Sequence, residues 1–416
     1  MEYYPRKIDE NLDKWIKRKE IILIKGPRQS GKTTVLQHLH QQLGGYYVTL
    51  EDEELLQSFE KNPKEFVKRY IENEKNFLFI DEVQYSKKAG KNLKLMYDLF
   101  SDKIKLFATG SGSFDIKVEI GKHLVGRAIY FELHPLDFEE FLLWKAKDLH
   151  TIFTDYKKTI KDFLLEKEDT INIEPIFQQE FKSLLQEYLL FGGYPAIAKE
   201  KDTKVKIELL KNLTKTYLEK DVFFFFNIMH LEKFKKLLNY LSFNDGSLLE
   251  ISSIMNELHM DFKTIENYLS ILSNTSIISL VSPYHKNLTT ELKKTRRIYF
   301  NDLGLRNSLL NNFLPLESRI DKGVILENYI FNELSKQFEV KINYWRTTGK
   351  AEVDFILHIN SNVVPIEVKS RTKTGKSFLS FIHSYNPKRA LIFTENDFSV
   401  KQIGQTKVCF IPHYYI

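Results

Sequence analysis

Short apolar runs separated by amphipathic stretches dominate the first third of the chain. Ile21–Ile24 and Phe77–Ile80 are the clearest of them, and each ends in polar residues. The pattern predicts strands at 21–25, 46–50, 77–81, 104–109 and 128–131, with helices between them. One of these helices runs from Lys32 to Leu43 and stops at Gly44-Gly45, a pair that ends helices readily. Such alternation predicts a mostly parallel sheet covered on both faces. From Pro135 to about Phe226 the spacing is helical and aromatic-rich, broken at Gly192-Gly193-Tyr194-Pro195; Phe223 to Phe226 read as core or an interdomain contact. Between His230 and Phe300 the periodicity predicts helices near 231–243, 248–258 and 261–272, the last with Asp261 as N-cap, then strands at 277–281 and 296–300. Three helices and a hairpin are the layout of a winged helix-turn-helix. Further on, Leu326 to Leu334 reads as helical. Ala351–Leu357 and Val364–Lys369, joined by a turn at Asn360-Ser361-Asn362, read as two strands. The expected divisions are 1–140, 141–228, 229–302 and 303–416.

Polar residues follow these runs where chemistry would need them. Gly26-Pro27-Arg28-Gln29-Ser30-Gly31-Lys32-Thr33 fills every fixed position of the P-loop pattern, directly after a strand and at the start of a helix whose first amides can hold phosphate. The expected nucleotide contacts run from Gly26 to Thr34. Lys32 is placed to reach the β- and γ-phosphates of ATP, and the Thr33 hydroxyl to ligate Mg²⁺. The strand at 77–81 ends in Asp81-Glu82, expected to hold the magnesium through water and to polarise the attacking water, respectively. The strand at 104–109 runs into Thr109-Gly110-Ser111, where Thr109 or Ser111 is a candidate γ-phosphate sensor; a plain β–α turn is the competing reading.

Composition narrows the class. The 416 residues, 43% hydrophobic and 28% charged, suit a soluble protein of two or three domains. No stretch approaches the roughly 18 apolar residues of a membrane span, so no membrane insertion is expected. The start, Met1 to Arg6, lacks the apolar core of a secretory signal. A single cysteine, Cys409, excludes an intrachain disulfide framework and fits a cytoplasmic protein. The net charge of +6 permits a nucleic-acid partner without requiring one. Locally, Lys286, Lys293, Lys294, Arg296 and Arg297 face only Glu291 in the expected wing, a charge of +4. It suits either a grip on a phosphate backbone, double-stranded DNA being the candidate, or a solvated hairpin.

A third constellation lies in the C-terminal strand pair. Side chains alternate along a strand, so Glu367 and Lys369 share a face. Pairing that sets Asp354 beside Glu367 would bring two carboxylates and a lysine together, with Glu327 as a third acid from an adjoining helix. Such a set suits Mg²⁺, a hard cation, with Lys369 orienting or deprotonating a water. A solvent-facing hairpin is the alternative.

These motifs together resemble the bacterial and archaeal AAA+-type ATPases whose C-terminal region is the DUF4143 domain. The resemblance covers nearly the whole chain. It rests on the P-loop, Phe79-Ile80-Asp81-Glu82-Val83-Gln84, Thr109-Gly110-Ser111, Leu124-Val125-Gly126-Arg127 and Leu133-His134-Pro135-Leu136-Asp137-Phe138-Glu139-Glu140. In the C-terminal half it rests on Leu326-Glu327-Asn328, Tyr344-Trp345-Arg346, Glu352-Val353-Asp354-Phe355 and Ile366-Glu367-Val368-Lys369. Gly112 departs from the family, which often has a second serine there. The resemblance implies an ASCE-type α/β sheet with the Thr109 strand between the P-loop strand and the Asp81 strand. It makes Arg127 a candidate for an arginine that meets a γ-phosphate, its own or a neighbouring subunit's; a surface salt bridge is the competing reading. The C-terminal motifs look like a PD-(D/E)xK, restriction-endonuclease-like domain, with Glu327, Asp354, Glu367 and Lys369 in matching positions.

The expected activity is ATP hydrolysis coupled to action on or near DNA. The alternatives are an ATP-regulated protein assembly with an inert nuclease-like scaffold, and an ATP-gated, Mg²⁺-dependent nuclease. A homo-oligomer or a protein partner is compatible with each.

Overall fold

A computed structural model describes residues 3–72, 76–110, 121–171, 175–218, 222, 228, 230–284, 295–338, 340–359, 362–369 and 374–416. Ser111, Lys286, Glu291, Lys293 and Lys294, the four phenylalanines from 223 and the turn residues Asn360 and Ser361 lie outside the described residues.

Five strands build the first sheet: β1 (Ile21–Lys25), β2 (Tyr46–Thr49), β3 (Asn76–Asp81), β4 (Ile104–Gly110) and β5 (Ala128–Glu132). Their order is β2-β3-β4-β1-β5, with every neighbouring pair parallel. The strand carrying Thr109 therefore lies between the P-loop strand and the Asp81 strand. Central strands must be apolar on both sides, and β4 is buried along its full length. Its one charge, Lys105, donates to the carbonyls of Trp15 (2.8 Å), Arg18 (3.0 Å) and Glu20. Period-2 alternation sends Ile22, Ile24, Phe79 and Phe107 to one face, beneath the helices Lys7–Ile16 and Lys32–Leu43. Ile21, Leu23, Leu78 and Ile80 go to the other, against Phe59, Phe66 and Leu93 of the helices Glu53–Lys61, Pro63–Lys68 and Ala89–Phe100.

After this sheet come the helices Phe138–Lys145, Lys147–Leu164, Gln178–Phe191, Pro195–Lys199 and Thr203–Thr216. Three more, Leu231–Phe243, Ile251–Leu258 and Phe262–Asn274, precede an antiparallel pair, β6 (Ile278–Val281) and β7 (Arg297–Phe300). Asp261 caps the third, accepting from Thr264 N at 3.0 Å.

The helices Leu303–Leu310 and Lys322–Gln337 lead into a six-stranded mixed sheet. Its strands are β8 (Ile342–Arg346), β9 (Glu352–Ile359), β10 (Asn362–Val368), β11 (Arg389–Thr394), β12 (Ser399–Ile403) and β13 (Thr406–Pro412), ordered β12-β13-β11-β10-β9-β8. The helix Lys376–Tyr385 crosses between the parallel strands β10 and β11. The core does not divide at residue 303: Phe138, Phe153 and Phe181 share one apolar cluster with Tyr329, Leu357, Leu391 and Ile411. Among the described residues, no helix is long and apolar enough to cross a membrane.

Candidate functional site

Registers across the first sheet place the nucleotide residues at one edge. Ile24 pairs with Thr109, and Ile80 with Ala108, so Ile24, Thr109 and Asp81 form a row two residues before the P-loop. Gly26 follows β1 where a Cβ would stand 2.1 Å from the Leu133 carbonyl oxygen. Gly31 caps the Lys32–Leu43 helix at φ 103, a left-handed conformation that only glycine adopts without strain. No side chain caps that helix, so its first amides are placed to bind an anion. Lys32 is buried and donates to the Pro27 carbonyl at 2.8 Å. Arg28 and Thr33 are half-buried, Gln29 and Thr34 exposed. The Ser30 hydroxyl is buried with no hydrogen-bond partner among the described residues. A glycine-walled loop, an orphaned hydroxyl and a buried lysine fit a polyphosphate. Thr33 and Asp81, both oxygen donors, fit its Mg²⁺.

The acidic side of the site is tightly held. Asp81 accepts from Thr109 Oγ1 and from Tyr47 Oη at 2.6 Å. Burial, then the bond to Asp81, raises the Tyr47 phenol above its ordinary range. Glu82 sits at φ 57, a left-handed conformation costly for a residue with a Cβ. Its N–H donates to Thr109 Oγ1 (3.2 Å) and Asp81 Oδ1 (3.1 Å), while Gln84 donates to its carboxylate. The left-handed turn ends β3 at Asp81 and leads into the 3-10 turn Val83–Tyr85. Gln84 stands two residues after Glu82, and nothing in its identity marks it as the partner of Glu82.

Arg6 reaches the P-loop as well, with no local sequence signal to mark it. Its guanidinium donates to Glu140 Oε1 (2.9 Å), the Ser30 carbonyl (3.0 Å) and the His134 carbonyl (2.8 Å). It thereby ties the N-terminal segment to the P-loop and to the exit of β5.

Arg127 lies elsewhere. It precedes β5, its carbonyl accepts from Ile21 N at 2.8 Å, and Ile21 begins the strand whose far end carries the P-loop. The guanidinium pairs with Asp98 at 2.5 Å. A full strand length separates it from its own chain's P-loop, which corrects the intrachain form of the γ-phosphate expectation. The competing salt-bridge reading describes what is seen.

In the second sheet, β9 and β10 pair Ile366 with Phe355, so the next step along that register sets Glu367 against Asp354. Asp354 Oδ2 accepts from Val368 N at 2.8 Å. Glu367 is buried; its Oε1 meets Lys369 Nζ at 2.6 Å, and its Oε2 has no hydrogen-bond partner among the described residues. Burial, then the Asp354 charge, pushes the Glu367 carboxyl up to about 7, and the same two causes raise Glu327 to about 7. Burial also raises Asp354. For Lys369, burial works against the charge, but the bond to Glu367 and the charges of Glu367, Asp354 and Glu327 together outweigh it and raise the pKa.

Of the basic residues of the expected wing, Arg296 and Arg297 fall among the described residues. Arg296 pairs with Glu266 at 2.8 Å. Arg297 is 5% exposed and turns inward, bonding Glu327 at 3.0 Å and also Glu352. As a phosphate contact Arg297 is therefore corrected: a buried guanidinium between two carboxylates is not offered to solvent. The Mg²⁺ expectation at Glu327, Asp354 and Glu367 meets the same obstacle. Each carboxylate already accepts from a protein donor, and among the described residues no three His, Cys, Asp or Glu side chains are placed to share one ion. This arrangement does not fit a divalent metal.

Three family models match the chain: an AAA domain over residues 18–142, a domain of unknown function (DUF8612) over 182–315, and a domain of unknown function (DUF4143) over 322–414. The chain is 28% identical over 350 residues to an uncharacterized protein of Methanocaldococcus jannaschii, covering 81% of this chain and 72% of that one. A second uncharacterized protein of the same organism is 24% identical over 413 residues, covering 92% and 83%. Among solved structures, the Aeropyrum pernix ORC2 protein aligns at 9% identity and a TM-score of 0.31, over 73% of this chain and 90% of that chain.

Proposed function

Since the chain is a P-loop AAA+-type protein with a C-terminal DUF4143 domain, we propose that it hydrolyses ATP and uses the cycle as a switch acting on or near DNA. The winged-helix-like segment and the nuclease-like sheet would be the parts that respond. The observation that carries the hydrolysis reading is the row Ile24–Thr109–Asp81 beside the P-loop, with Glu82 turned out of β3 at its end. Magnesium-bound ATP supplies the phosphoanhydride to be broken. Lys32 would neutralise its outer phosphates, while Thr33 and Asp81 would hold the metal. Glu82 would take a proton from the attacking water, with Gln84 and the Thr109 hydroxyl fixing its orientation.

Phosphate release by purified protein tests this. Lys32→Ala should lose nucleotide binding or turnover. Glu82→Gln should keep nucleotide binding while turnover falls by roughly 100-fold or more, the usual worth of a general base. Release by Glu82→Gln at the wild-type rate would overturn the role of Glu82.

A second reading, an ATP-regulated assembly switch in which the C-terminal sheet is an inert scaffold, is favoured by the ion pairs that occupy Glu327 and Glu367. DNA-stimulated ATP turnover separates it from the first. Metal-dependent strand cleavage lost in Lys369→Ala would instead support a gated nuclease.

A further inference from the structure

The acidic cluster of the second sheet already has a cation, and it comes from another part of the chain. Arg297 opens β7, paired through Val281 to β6, in the segment that follows the three helices. Its Nη1 donates to Glu327 Oε1 (3.0 Å) and to Tyr299 Oη (3.2 Å), and its Nη2 to Glu352. The guanidinium lies over the Tyr344 ring at 5.0 Å from the centroid, so its face is covered as well. Tyr299 Oη closes the loop by donating to the same Glu327 oxygen at 2.7 Å. Burial opposes the Arg297 charge, but Tyr299, Glu327 and Asp354 outweigh it and raise its pKa.

The chemistry of the alternatives is decisive. Buried carboxylates require a compensating charge, and a divalent ion or a guanidinium can supply it. Mg²⁺ and Mn²⁺ need oxygen ligands converging at about 2.0–2.1 Å in octahedral geometry. A guanidinium is planar, donates outward, and keeps the same carboxylates apart. The two occupants are mutually exclusive at Glu327.

We infer that Arg297, supplied within the chain by β7, is the resident cation on the Glu327 side of this cluster, as Lys369 is on the Glu367 side, and that its guanidinium excludes a divalent ion there. Removing the guanidinium frees the Glu327 carboxylate for a metal, alongside the Glu367 Oε2 that has no hydrogen-bond partner among the described residues. The inference stands apart from ATP hydrolysis, which is read by phosphate release and not by metal binding.

The test is Mn²⁺ titration of nucleotide-free full-length protein, read by the electron paramagnetic resonance signal of free Mn²⁺, with thermal melts to verify folding. Wild type should take up no Mn²⁺ that depends on Asp354. Arg297→Met, which keeps the length and loses the charge, should gain one equivalent that Arg297→Met/Asp354→Asn lacks, and Arg297→Lys should gain none. Asp354-dependent Mn²⁺ binding by wild type overturns the inference, as does a folded Arg297→Met that gains nothing. Should Arg297→Met fail to fold, Glu352→Gln decides, because it removes one of the two carboxylates that hold the guanidinium. Mn²⁺ binding at least tenfold tighter than wild type supports the inference, and equal binding overturns it.

Discussion

At Gly26 the backbone of β1 passes so close to β5 that a single methyl group has no place. A Cβ there would meet the Leu133 carbonyl oxygen at 2.1 Å and its carbon at 3.0 Å, and both belong to a backbone held by the Leu133 N–H to Lys25 carbonyl bond of 2.7 Å. Neither partner can rotate away. Gly26→Ala should therefore push the P-loop off its path, lose binding of a fluorescent ATP analogue, and cost about 1–3 kcal/mol of stability, the usual range for overpacking. Unchanged analogue binding would show that the loop tolerates the shift. Position 31 has more room, its nearest neighbours being Arg6 Nη1 at 3.5 Å and Pro195 Cγ at 3.8 Å, yet its φ of 103 makes any side chain strained.

The helix Lys322–Gln337 shows how one element holds several regions. Its inward polar residues reach partners in several parts of the chain. Glu327 meets Arg297, and Asn328 donates to Asp245 at 2.7 Å. Asn332 donates to the Phe300 carbonyl at 2.9 Å, and Glu333 accepts from Phe138 N at 3.2 Å. Glu333 is fully buried, and burial followed by the nearby Asp137 charge raises its carboxyl to about 7. A carboxyl raised on folding keeps its proton longer in the native state than in the unfolded chain. Between about 4.5 and 7 the native state binds more protons, so stability falls as pH rises through that window. Glu333→Gln keeps one acceptor and removes the titration. The melting temperature of the variant, relative to wild type, should be higher at pH 8 than at pH 5, by an amount on the order of a few kcal/mol in stability. Parallel pH profiles for the two proteins would rule out this role for Glu333. Glu327 and Glu367, raised for similar reasons, leave the variant some residual slope.

On the scale of the whole molecule, the net charge of +6 and the basic run around residues 286–297 motivate the DNA reading. The candidates for phosphate contact are now unequal. Arg297 is internal and Arg296 is paired with Glu266, which leaves Lys286, Lys293 and Lys294 as the residues to vary. Replacing these three by Ala should flatten the slope of log affinity against log salt by up to about 0.9 for each phosphate contact removed. Arg297→Met should leave it unchanged. Fluorescence anisotropy with duplex DNA measures both. A triple variant with the wild-type slope would assign the basic run to solubility.

The sequence by itself determined whatever depends on neighbours a few residues apart. Strands at 21–25 and 77–81, the helix from Lys32 to Leu43 and the cap at Asp261 each follow from a local period or a local hydrogen bond, and they stand within a residue or so of where the pattern put them. The family resemblance also implied that the Thr109 strand lies between the P-loop strand and the Asp81 strand, as β4 does between β1 and β3. Tertiary structure alone decided which charges meet. Arg297 and Glu352 are 55 residues apart in sequence, and Arg6 and Glu140 are 134 apart. Period-2 alternation assigns Arg297 to a face of β7 but cannot say whether that face meets water or another domain. Docking of β7 against the second sheet turned an apparent solvent-facing arginine into the counter-ion of an acidic cluster. A strand pattern records side-chain polarity along one chain segment, whereas pairing of buried charges depends on packing between segments that no local pattern encodes.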